Sequence, residues 1–243
     1  MWSLYKKEIR GFFSSLTGYV VIVVFLLLNS LFMWVFSGQM NILESGYASL
    51  DTLFTLAPWV FLFLVPAITM RMFSEEKRAG TLELLFTRPM SELQIVSAKF
   101  LAAWSLVIIA IVPTLIFFGS VWFLGSPRGN IDTGGTWGSY IGLVFLGGIY
   151  ASVGIFSSSV TGNQIVAFIM AVLLSFLFYL GFNFIGTLGQ TGEVVHVIET
   201  MGIDYHYQSM ARGVIDSRDM IYFISVIFLF LYLTRTVLVS RKW

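Results

Sequence analysis

RMFSEEKRAGTLELLFTRPMSELQIVSAK, residues 71–99, stands between two runs that hold no charge at all, 52–70 and 101–124. Each run approaches or exceeds the roughly 20 apolar residues a helix needs to cross a bilayer. The charged stretch is therefore a connection between two membrane spans, held on one side of the membrane. Working outward, four more apolar runs of this kind appear, giving six spans at 17–37, 52–70, 101–124, 137–157, 164–188 and 220–239. The chain of 243 residues is 57% hydrophobic and 11% charged, with a mean hydropathy of +0.86. Soluble domains carry about 25% charged residues, so a soluble enzyme is excluded first. The expected fold is a single all-α polytopic domain over residues 1–243.

Lysine and arginine set the orientation, because cytoplasmic ends carry their excess. One set of ends holds Lys6, Lys7, Arg10, Arg71, Lys77, Arg78, Arg88, Lys99, Arg235, Arg241 and Lys242; the other holds Arg128, Arg212 and Arg218. The first set then faces the cytoplasm, with both termini and 71–99. The first apolar run exceeds the 7–15 residues of a signal-peptide core and reads as a retained span. A net charge of +1 and no basic stripe exclude nucleic-acid binding. With no cysteine there is no disulfide or thiolate site.

These boundaries leave the span interiors without Asp, Glu, Lys, Arg or His, save Arg235 in the last turn of span six, where it can snorkel. Intramembrane ionisable groups mark proton relays and ion paths, so energy for uphill transport is expected from outside the membrane. No G-x-x-x-x-G-K-[ST] is present to bind nucleotide on this chain. Charge-free spans suit an apolar or lipid-linked substrate better than a small ion.

Within 71–99, Gly80 breaks a helix and Thr81 is placed to cap a new one through its hydroxyl. Leu82, Leu85 and Phe86 fall at i, i+3 and i+4, an apolar face, and Pro89 ends the element. Ser91 with Gln94 is a capping-box pattern. Glu75, Glu76 and Glu83 are available to a cytoplasmic partner; the alternative is a loop whose leucines lie on lipid. Residues 2–16 read as an amphipathic interfacial helix, with Trp2, Tyr5, Ile9, Phe12 and Leu16 near one face and Lys6, Lys7 and Arg10 away from it. Gly147, Ala151, Gly154 and Ser158 form a stripe of small residues on one face of the fourth span, permitting close helix approach within the chain or to a partner. The outer segment 189–219 holds two short helix candidates, around 194–201 and 207–214. His196, Glu199 and His206 make only an i, i+3 pair and read as solvated surface, so no metal site is expected. Pro58, Pro66 and Pro113 lie inside spans two and three, where each removes a helix hydrogen bond.

Glu76-x-x-x-Gly80-Thr81-Leu82-Glu83-x-Leu85-x-x-x-Pro89 resembles the coupling-helix motif of ABC-2 type transporter permeases, in residue type and spacing. The resemblance implies a type V exporter-like fold with both termini cytoplasmic and short extracytoplasmic helices between spans five and six. It implies that Glu75, Glu76, Gly80, Thr81, Leu82, Glu83, Leu85, Phe86 and Pro89, framed by Lys6, Lys7 and Arg10, meet a cytoplasmic ABC ATPase. It implies a non-catalytic subunit with no cofactor of its own, ATP and Mg being held by that partner. FFSSLTGYVVI (12–22), SSSVTGNQIVAFI (157–169) and YHYQSMARGVIDSRDMIYFIS (205–225) are similar to the gliding-motility-associated branch, GldF, of Bacteroidota. That branch implies an inner-membrane location. Further partners would be a second permease, a GldG-like subunit with an extracytoplasmic domain, or a second copy, besides membrane lipids. A secondary transporter or channel working without an ATPase, and a mechanical scaffold for surface motility machinery, remain alternatives. An intramembrane enzyme does not fit, because no catalytic pair lies in the spans.

Overall fold

The structure is a computed structural model describing residues 1–87, 89–188 and 193–240, without the side chains at 17, 186–188, 193 and 194. Arg88, Arg241, Lys242 and residues 189–192 of the outer segment lie outside the described residues. All regular structure among the described residues is helical. Six helices are long and apolar enough to cross a membrane: span 1 Gly18–Val35, span 2 Asp51–Arg78, span 3 Glu92–Leu124, span 4 Thr133–Val160, span 5 Gln164–Ile185 and span 6 Ser217–Val239. The chain is an all-α, multi-pass membrane protein.

Side-chain caps fix where several spans begin, because the first N–H groups of a helix lack intrahelical partners. Asp132 accepts from Gly135 N at the head of span 4. Asn163 and Asp216 do the same for Ile165 N and Arg218 N at spans 5 and 6. At span 3 both arms of the capping box form: Ser91 Oγ accepts from Gln94 N, and the Gln94 side chain accepts from Ser91 N.

Span 4 is the axis of the bundle. Its membrane-spanning window is 78% buried, against 22% for spans 5 and 6, and it touches spans 2, 3, 5 and 6. Small residues let the neighbours in. A Cβ on Gly147 would stand 2.5 Å from Val107 Cγ1 of span 3, and one on Gly154 would stand 1.9 Å from Thr69 Oγ1 of span 2. Ala151 and Ser158 on the same stripe are fully buried. The stripe thus packs inside this chain.

Three boundaries differ from the sequence expectation. The N-terminal helix is Trp2–Phe13, not 2–16: Ser15 is extended and Leu16 already belongs to the next helix, 78% exposed. Leu4 and Phe12 are buried and Tyr5, Glu8 and Ile9 half-buried, with Trp2 exposed. Span 3 starts at Glu92, nine residues before the apolar run, so the break between helices shrinks from 71–99 to about 79–91. Hydropathy stops at Lys99; the helix does not. The segment between spans 5 and 6 folds into Glu193–Glu199 and Ile203–Ala211, following Phe182–Leu188 at the end of span 5.

Candidate coupling site

The end of the bundle that carries the N-terminal helix also carries the loop between spans 2 and 3. Span 2 finishes in Ser74–Arg78, closed by a Schellman motif. Gly80 N donates to Lys77 O at 3.2 Å and Thr81 N donates to Glu76 O at 3.0 Å. Gly80 sits at φ +67°, left-handed backbone in which a Cβ would be strained although the space around it is empty. Thr81 does not cap the next helix with its hydroxyl. That hydroxyl turns back to Glu76 O, so Thr81 secures the helix behind it.

The short helix Leu82–Phe86 follows. Leu85 is buried, and Leu82 and Phe86 pack partly buried against the core. The apolar face found by its spacing therefore points into the protein. What the helix shows outward is Glu83 and Leu84, the latter 65% exposed. Sequence periodicity passed over Leu84 because it lies off the i, i+3, i+4 stripe. A groove of about 550 Å³ runs beside this helix, between Met1, Leu4 and Lys7 on one wall and Leu85, Pro89 and Met90 on the other.

Behind the loop lies an ionic cluster that the sequence did not reveal. Lys99 is fully buried in span 3. Its ammonium donates to Glu8 Oε1 at 2.9 Å, to Glu76 Oε1 at 2.9 Å and to Met72 O at 2.7 Å. An ammonium has three protons, and here each has one acceptor, from the N-terminal helix, the end of span 2 and the turn within it. Lys7 stands 3.5 Å from the same Glu76 oxygen and 3.9 Å from that of Glu8. Glu76 is thus directed inward rather than offered to solvent, whereas Glu75 is exposed. Span 3 is not charge-free, as its apolar run alone had suggested.

Lys99 also resolves a backbone problem. Span 2 is irregular between Thr69 and Ser74, and each freed backbone group needs a partner. Met72 O is taken by Lys99, and Phe73 N donates to Ser158 Oγ of span 4 at 3.0 Å. Ser158 contributes a hydrogen bond as well as its small size. The Lys99 ammonium lies 5.1 Å from the centre of the Phe73 ring, and the hydroxyls of Tyr5 and Ser105 are hydrogen-bonded at 3.0 Å, a second tie between the N-terminal helix and span 3.

The opposite end is closed by Ile203–Ala211. His206 is buried, not solvated: Nε2 is 2.8 Å from Thr200 O, Nδ1 is 2.7 Å from Asp219 Oδ1, and the ring stacks on Tyr222 at 3.9 Å. A carbonyl only accepts, so Nε2 donates to Thr200 O, and Nδ1 faces the Asp219 carboxylate. Asp219 is in the first turn of span 6, where the helix dipole favours an anion. Among the described residues no group of three or more His, Asp or Glu is placed to hold a metal. Replacing His206 with leucine strands Asp219 without its donor and is expected to cost about 1–3 kcal/mol. Limited proteolysis in detergent should then cut faster between spans 5 and 6, and an unchanged cutting rate would speak against the anchor.

Tyr207, the next residue, answers a proline. Pro58 has no N–H to give the carbonyl of Phe54, four residues back, and the Tyr207 hydroxyl donates to that carbonyl at 2.9 Å. Burial, then Tyr179 and Asp204 nearby, holds the Tyr207 hydroxyl well above the usual tyrosine range, so it stays a donor. A cavity of about 480 Å³ opens beside it, lined among others by Asp51, Trp59, Asp132, Tyr179 and Asp204.

No curated protein matches the chain. Residues 41–240, most of its length, match the family described as ABC-2 family transporter protein. Permeases of that family are generally non-catalytic and typically work with an ABC ATPase. The six helical spans and this match agree: the chain belongs to the ABC-2 family of membrane transporter proteins.

Proposed function

We propose that the chain is the non-catalytic permease subunit of an ATP-driven exporter in the cytoplasmic membrane, driven by ATP and Mg bound on a separate ABC ATPase. The observation that carries this reading is the loop helix Leu82–Phe86. Its apolar side is anchored in the core, so a force on its outward side, Glu83 and Leu84, has a rigid route into spans 2 and 3. Lys6, Lys7, Arg10 and Glu75 are exposed and would frame the same contact, Lys7 across the groove from Leu85. The excess of Lys and Arg at this end supports a cytoplasmic position for it. The resemblance of 12–22, 157–169 and 205–225 to gliding-motility permeases supports a role in surface motility, beside a GldG-like subunit or a second permease copy.

Leu84→Asp is expected to weaken ATPase docking about tenfold or more, as loss of a central apolar anchor does. Glu83→Arg and Gly80→Pro should leave the protein inserted but abolish its effect on the ATPase, because proline cannot adopt φ +67°. The check is ATPase activity of the co-purified complex with and without each variant. Wild-type stimulation in all three would overturn the reading.

A further inference from the structure

The cluster at Lys99 joins three elements that the chain leaves separate in sequence: Glu8 is 91 residues from Lys99 and Glu76 is 23. It is also graded in exposure. Lys99 is fully buried, the two glutamate side chains are 14% exposed, and Lys7 is 65% exposed. Two carboxylates are balanced by two ammonium groups, one locked inside and one at the rim. Removing the rim charge leaves the buried part with one unit of excess negative charge, a condition the low-dielectric interior penalises. The second oxygen of Glu76 is already buried with no hydrogen-bond partner among the described residues.

We propose that Lys99 is a positioning residue for coupling, a clamp that makes the N-terminal helix, the end of span 2 and the start of span 3 move as one body, and that Lys7 is its release point. A carboxylate presented by the docking subunit competes for Lys7, unbalances Glu8 and Glu76, and loosens the N-terminal helix from the span 2–3 hairpin. The partner chemistry implied is an acidic side chain facing the groove between Lys7 and Leu85. This proposal rests on the reading that an ATPase docks at this end, but the clamp itself is testable without one.

The chain has no cysteine, so nitroxide labels attach only where cysteines are introduced. Gly11 and Ala79 are exposed, and a Cβ on Gly11 meets nothing. Gly11→Cys with Ala79→Cys, labelled in the full-length protein in nanodiscs, reports the distance between the N-terminal helix and the end of span 2. The parent should give one narrow population. Lys7→Ala should add a longer one of about 10%, and Lys99→Met should make the longer one dominant. Glu76→Gln should behave between them. If Lys99→Met does not fold, Lys7→Ala decides, since its side chain is largely in solvent. A single unchanged population in Lys7→Ala and Glu76→Gln overturns the clamp while leaving the permease reading intact. An intact clamp in a complex whose ATPase ignores Leu84→Asp, Glu83→Arg and Gly80→Pro alike overturns the docking reading instead.

Discussion

Gly138→Ala is expected to lower the unfolding midpoint of the purified protein in detergent, although glycine to alanine within a helix ordinarily gains about 1 kcal/mol. The reason is what the added carbon meets. A Cβ on Gly138 would stand 2.1 Å from the backbone oxygen of Met210 and 3.3 Å from Gly213 Cα. Backbone cannot rotate aside as a side chain can. Nor can Met210 retreat easily, because its helix is pinned by His206 on Asp219 and by Tyr207 on Phe54 O. Gly213 is itself at φ +82°, and a Cβ there would lie 2.8 Å from Gly134 C and Gly135 N. The closing helix and the head of span 4 are thus in backbone contact, and overpacking such a contact costs about 1–3 kcal/mol or more. Gly154→Ala should also destabilise, because Thr69 Oγ1 is in the way and the threonine is buried and bonded to Val65 O. Its penalty should be the smaller of the two, since a side chain can shift. Gly119→Ala is the control: it lies in the C-terminal half of span 3 with nothing within 4 Å, and should be neutral or stabilising. A midpoint for Gly138→Ala equal to that of Gly119→Ala would refute the backbone contact.

The six spans were legible because lipid-exposed helices need long apolar runs, and nothing else in 243 residues produces six of them. Charge made the ends illegible. A hydropathy boundary is drawn at the first lysine, yet Lys99 is satisfied by groups 91 and 23 residues away, so the helix continues through it. One signal was present and unread. Glu8 lies between Leu4 and Phe12 at helical spacing, a single carboxylate on an apolar stripe, which calls for a buried cation elsewhere. The loop helix was found at its place, but a five-residue helix has two sides, and its apolar spacing marks the side that is buried, not the side that is offered. His206 could not be read at all: its partners, Thr200 O and Asp219, are ordinary loop and helix-start residues until the fold brings them together. Tyr207 was half legible, since Pro58 announces a free carbonyl at Phe54 but does not say that a tyrosine 153 residues on will take it.

Lys99→Met is expected to be the most destabilising single change at the basic end of the bundle. The thioether fills much of the lysine's volume, so the effect isolates charge and hydrogen bonding from packing. Its loss removes three donors at once and leaves Met72 O, Glu8 and Glu76 facing one another beside the rim cation Lys7. Breaking a buried ion pair from one side costs about 3–5 kcal/mol, because the remaining charge stays buried without a partner. Glu8→Gln should cost less, for it removes one charge but still offers Lys99 an amide oxygen. The strongest test is the combination. Lys99→Met together with Glu8→Leu and Glu76→Leu should be more stable than Lys99→Met alone, because no uncompensated charge remains and apolar residues fill the site. Such recovery by further mutation is the reverse of what independent contacts would give. Salt separates the two cations: the penalty at Lys99 should persist in high salt, where buried charges are little screened, while any penalty of Lys7→Ala should fade. Unfolding midpoints of the four variants in low and high salt measure all of this. Additive losses that shrink with salt at Lys99 would mean that its pairing with Glu8 and Glu76 is a surface contact and no anchor.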